Sequence, residues 1–155
     1  MSTNISIPII KELTKFRLTL SVVFSSFISY FLGASEVNYI QLFYLITGGI
    51  LIVSSSNIFN QIIERDLDKL MKRTQNRPLP KNEITPKLAL FLAIASCVIG
   101  LIFMYMINIK VAILAALSIF IYTSIYTPMK LISPLAVFIG AIPVSYTHLT
   151  LPTTD

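Results

Sequence analysis

Asn60, Glu64 and Asp68 stand four residues apart at the end of a long apolar run, and Lys72, Arg73 and Arg77 follow within nine more. On a helix of 100° per residue, taking Asn57 as zero, Asn60 falls near about −60°, Glu64 near about −20°, Asp68 near about +20° and Lys72 near about +60°. Gln61 joins that face at about +40°, whereas Asp66 lies opposite at about 180°. The spacing therefore predicts one polar face of Asn57, Asn60, Gln61, Glu64, Asp68 and Lys72, provided the helix continues through Met71. Two carboxylates four apart have Cβ atoms about 6 Å from each other and repel unless something pairs them. A divalent cation removes that cost. Magnesium accepts one or two protein carboxylates and completes its octahedron with water and substrate phosphates. Glu64 and Asp68 as metal ligands, with Asn60 as a neutral oxygen and Lys72, Arg73 and Arg77 on the remaining phosphate charge, suit a magnesium-bound diphosphate.

Two other readings stay open on spacing alone. The amides of Asn57, Asn60 and Gln61 can hydrogen-bond neighbouring helices, with Glu64 in a salt-bridge cluster with Arg65, Lys69 or Lys72. The carboxylates can also serve as an ion relay in a transporter or assembly protein.

The setting of these residues is a membrane. Of the 155 residues, 55% are hydrophobic and 12% charged, and the mean hydropathy is +0.79. The charges cluster and leave uncharged runs at Leu18–Ser35, Val37–Ile63, Leu88–Ile109, Val111–Met129 and Leu131–Thr154. About 20 apolar residues span a bilayer as a helix. The runs predict spans at Leu18–Ala34, from Leu42 into the charged segment, at Leu88–Ile107 and at Val111–Tyr126, with a fifth opening at Leu131–Pro143. The fold class is all-α, a multi-spanning bundle.

The net charge of +5 is distributed by loop, which is not the pattern of nucleic-acid binding: Lys11, Lys15 and Arg17 precede the first span and seven more basic residues lie within Arg65–Lys87. The positive-inside rule places both segments in the cytoplasm. Residues 1–17 read as a short interfacial segment, and they carry no signal-peptide cleavage pattern. Pro78, Pro80 and Pro86 predict an irregular, extended loop. The lone cysteine, Cys97, excludes an intramolecular disulfide. Residues 144–155, rich in threonine and proline, break off a half-finished span and read as a foreign or frame-shifted tail, so His148 is assigned neither as ligand nor as base.

Asn60-Gln61-Ile62-Ile63-Glu64-Arg65-Asp66-Leu67-Asp68, Met71-Lys72-Arg73-Thr74 and Asn76-Arg77-Pro78-Leu79 together resemble the first acidic motif of the haem O synthases (protoheme IX farnesyltransferases), a branch of the UbiA-type intramembrane prenyltransferases. Leu13-Thr14-Lys15-Phe16-Arg17 is similar to the opening Leu-Thr-Lys-Pro-Arg of that family, with Phe16 replacing proline. Tyr126-Thr127-Pro128-Met129-Lys130 and Gly140-Ala141-Ile142-Pro143 resemble later landmarks. The resemblance covers about residues 13–143.

It implies a bundle of about nine spans, of which this chain holds about five, in a bacterial inner membrane. It also implies a magnesium-dependent transfer of farnesyl from farnesyl diphosphate to haem B, with haem as substrate. Asn60, Glu64 and Asp68 match the metal-diphosphate positions, and Lys72, Arg73 and Arg77 match the adjoining basic segment. A second acidic motif of the family has no counterpart here, so the chain alone is expected to be inactive. The nearest alternative within the superfamily is prenylation of an aromatic quinone precursor.

Overall fold

The computed structural model describes residues 5–126, and every regular element among them is helical. A short helix α1 (Ile7–Leu13) leads into α2 (Phe16–Gly33), and α3 (Tyr39–Ile63) returns. After a short α4 (Arg65–Leu70) and a loop come α5 (Pro86–Ile107) and α6 (Ile109–Phe120), the last continued by a π-helical turn, Ile121–Tyr126. Helices α2, α3 and α5 are long and apolar enough to cross a membrane, with mean hydropathies of 1.4, 1.7 and 2.6 over an 18-residue stretch of each. The predicted spans are thus present with shifted ends, and the last third of the fourth is π-helical rather than α-helical. The fifth span, and the Tyr126–Lys130 turn beyond Tyr126, lie outside the described residues.

The ends of the helices follow from local chemistry. Asn38 caps α3 by accepting hydrogen bonds from the Ile40 and Gln41 amides at 3.0 and 3.3 Å, the role that short polar side chains perform at helix starts. Thr85 caps α5 and Pro86 takes its first position, where the missing N–H is no loss. Phe16 occupies the same first position in α2, a site equally suited to proline. The residue before it, Lys15, sits in the left-handed region at φ 49° and separates α1 from α2.

Packing centres on α3 against α5. Gly48 and Gly100 let the backbones cross closely: a Cβ on Gly100 would lie 2.7 Å from Ile52 Cγ1 and 3.2 Å from the Gly48 carbonyl oxygen. Small residues at helix crossings are the usual means of close approach in lipid, where packing rather than hydrophobicity drives association. Nearer the charged end, the buried Ser55 hydroxyl donates to the Ala93 carbonyl at 2.8 Å. Below the loop, Leu13, Ile58, Leu79, Ile84, Ala89 and Ala93 form a buried cluster. Phe91, Val98, Ile102 and Tyr105 remain exposed along one side of α5, a surface that hydrocarbon satisfies.

Candidate active site

Helix α3 does not run unbroken into the charged segment, contrary to the expectation of one helix through Met71. Glu64 ends α3 and begins α4 with φ −84° and ψ 0°. Hydrogen bonds nevertheless bridge the break: the Glu64 amide reaches the Asn60 carbonyl at 2.9 Å, and the Asp68 amide reaches the Glu64 carbonyl at 2.8 Å. The four-residue spacing therefore still stacks Asn60, Glu64 and Asp68 on one side. All three are buried, at 3%, 8% and 3% exposure.

Their side chains form one connected group. Asn60 Nδ2 donates to Glu64 Oε2 at 3.0 Å. Arg77 Nη1 donates to Asp68 Oδ2 at 2.7 Å and stands 3.9 Å from Glu64 Oε2. Among the described residues, the cation that pairs with both carboxylates is thus Arg77, not Arg65, Lys69 or Lys72. Lys72 is a correction: α4 ends at Leu70 and Met71 turns extended (ψ 124°), so Lys72 leaves the helical face and is exposed. Arg73 is also exposed, and with Arg77 it lines a cleft of about 700 Å³ that reaches the α1–α2 break.

The loop that delivers Arg77 is compact rather than extended. Pro78, Leu79 and Pro80 are buried, and successive turns connect Met71 to Thr74, Thr74 to Arg77 and Pro78 to Glu83. Proline removes donors here without preventing burial, because the remaining amides bond within the loop. Thr74 Oγ1 donates to the Asp68 carbonyl at 3.2 Å. Asn82, at φ 59°, accepts from Arg65 Nη2 at 2.7 Å and ties the far end of the loop to the start of α4. Neither role was assigned from sequence. Asn82 carried the only local signal, since asparagine tolerates the left-handed region better than most residues.

Asn57 and Gln61 share the predicted face but do not serve the carboxylates. Asn57 Nδ2 donates to the Thr14 carbonyl at 3.0 Å and to Thr19 Oγ1 at 3.5 Å. Gln61 Nε2 donates to the Leu13 and Glu12 carbonyls at 2.8 and 3.3 Å. For these two the reading as helix-to-helix hydrogen bonding holds. They satisfy carbonyls that the α1–α2 break leaves open.

Among the described residues no three His, Cys, Asp or Glu side chains gather as a metal cage. Two buried carboxylates beside one amide suit instead a hard cation that draws most of its ligands from water and phosphate, and magnesium is such an ion. Arg77 is already charge-paired there, and it has the planar fork that recognises phosphate oxygens in two-point contacts.

The UbiA prenyltransferase family profile matches residues 22–149. The chain belongs to the UbiA prenyltransferase family. As a UbiA protein with three apolar helices of spanning length, it is an integral membrane protein. A protein named protoheme IX farnesyltransferase from Christiangramia forsetii is 53% identical over 133 residues, which is 86% of this chain and 44% of that relative. Proteins of the same name from Flavobacterium psychrophilum and Cytophaga hutchinsonii are 47% and 46% identical, over 86% and 85% of this chain and 45% and 47% of theirs. The chain spans less than half the length of these relatives. No solved structure matches it.

Proposed function

We propose that the whole protein transfers the farnesyl group of farnesyl diphosphate to a vinyl group of haem B, giving haem O. The observation that carries this reading is the buried Asn60–Glu64–Asp68 group balanced by Arg77. The names of its relatives supply the substrates. Glu64 and Asp68 would hold magnesium, with Asn60 beside them. When bound, the ion supplies Lewis-acid stabilisation of the charge that develops on the departing diphosphate.

The chain's own residues do the rest. Asn60 fixes the Glu64 carboxylate through its amide, so the acid keeps one orientation while charge builds. Arg77 sits between both carboxylates and the cleft, where its guanidinium stabilises a phosphate oxygen as the C1–O bond breaks and the electron pair leaves with diphosphate. Lys72 and Arg73, exposed on the same loop, neutralise the outer phosphate charge. The allylic cation left at C1 is attacked by the vinyl carbon, water adds to the resulting cation, and a proton is released. The positive-inside distribution supports a cytoplasmic N-terminus and a cytoplasmic Glu64–Lys87 loop, and the proposed membrane is the inner membrane of a bacterium.

The test measures farnesyl diphosphate consumption by the whole protein in membranes, with and without haem B. Consumption should require haem, and Asp68→Asn should lower the rate by about 10²–10³-fold. Consumption that ignores haem but follows an aromatic quinone precursor would move the reading to the other branch. Full activity in Asp68→Asn would remove the site altogether.

A further inference from the structure

The cleft beside the carboxylate group holds more positive charge than diphosphate departure uses. Five cations, Lys11, Lys15, Arg17, Arg73 and Arg77, line it against one carboxylate, Glu12. Arg77 is engaged by Asp68 and Glu64, and Arg73 belongs to the basic segment assigned to phosphate. Lys11, Lys15 and Arg17 have no part in the chemistry set out above. Membrane orientation requires only that such charges stay on one side. It does not require that residues from two separate segments surround one hollow. Cations gathered in a cleft focus a positive potential and raise the local concentration of oxyanions.

Two further observations mark this wall as built rather than frayed. Lys15 holds φ 49°, a conformation unfavourable for a residue with a Cβ and found where surrounding structure imposes it. Just before Lys15, Asn57 and Gln61, two buried amides of a membrane span, bond to the backbone of residues 12–14. Gln61, 1% exposed, also lines the cleft, and its Oε1 has no hydrogen-bond partner. A buried acceptor left unmatched lowers stability.

We propose that this cleft docks the carboxylates of the acceptor substrate, with Lys11 and Arg17 at its rim and Lys15 at the break. The inference rests on the proposed function only in taking an acceptor that carries carboxylates, as haem B does in its two propionates. Those propionates lie on the macrocycle edge opposite the vinyl groups. Holding them at the aqueous rim turns the reacting edge inward, so the cleft selects which edge meets the farnesyl group.

The test uses the whole protein in nanodiscs of uncharged phosphatidylcholine, titrated with haem B and, separately, with its dimethyl ester, followed by absorbance. Lys11→Gln with Arg17→Gln should weaken haem B binding about five- to ten-fold, as two exposed charge pairs contribute. Binding of the ester and of magnesium diphosphate should not change. Lys11→Arg with Arg17→Lys should keep haem affinity, which separates charge from folding. Equal losses for haem and its ester, a loss for magnesium diphosphate instead, or no loss at all would each overturn the inference while leaving the proposed function standing. A parent protein that binds neither form of haem would overturn the proposed function, and the inference with it.

Discussion

Replacing Arg77 with methionine keeps most of its length and removes the charge that balances two carboxylates. The Asp68 side chain is 4% exposed and that of Arg77 21%. Breaking a buried ion pair by deleting one partner costs about 3–5 kcal/mol, because the other charge stays buried and uncompensated. Partial solvation of the guanidinium reduces this to about 2–3 kcal/mol. Asp68→Asn removes one of the two repelling carboxylates as well as the pair, and Glu64 remains 3.9 Å from Arg77, so its cost is smaller, about 1–2 kcal/mol. In the double variant the two losses should not add. A coupling of at least about 1 kcal/mol is expected for side chains in direct contact. Denaturant unfolding in detergent micelles, followed by far-ultraviolet circular dichroism, measures all four proteins of the cycle. The reasoning is refuted if Arg77→Met unfolds within about 0.5 kcal/mol of the parent, or if the two single costs add within the same margin.

Two further predictions concern the scaffold. Gly100→Ala places a methyl against Ile52 and the Gly48 carbonyl and should destabilise by about 1–3 kcal/mol through overpacking; a thermal midpoint equal to the parent's would count against the close crossing. Asn82→Ala loses both the Arg65 bond and tolerance of φ 59°, whereas Asn82→Gly loses the bond alone. The alanine variant should therefore be less stable by about 1 kcal/mol, and the reverse order in a melting experiment would exclude a backbone role.

The sequence made the spans legible because the charges are confined to a few short segments, so uncharged runs mark α2, α3 and α5 to within three residues at their starts. The Asn60–Glu64–Asp68 face was legible because hydrogen bonds carry the helical register across the break at Glu64. The break itself was not, since no proline or glycine announces it. Lys72 was misplaced for the same reason: periodicity alone gave no signal that α4 stops at Leu70. Arg77 entered as a phosphate cation, but its bond to Asp68 depends on turns through Thr74 and on the burial of Leu79. Such turns leave no periodic trace. Asn57 and Gln61 were legible as members of the polar face, but their partners were not, because these are carbonyls at a helix break more than 40 positions earlier. Side-chain spacing carries no information on where another segment opens its backbone.

The glycine crossing acts as a fulcrum. From Gly48 to Glu64 the arm of α3 is about 24 Å long, so a tilt of about 5° at the crossing would swing Glu64 by about 2 Å. The Ser55–Ala93 hydrogen bond, about 10 Å along that arm, is the brace that resists the swing. A lesion deep in hydrocarbon, far from any charge, would therefore be read out at the carboxylates.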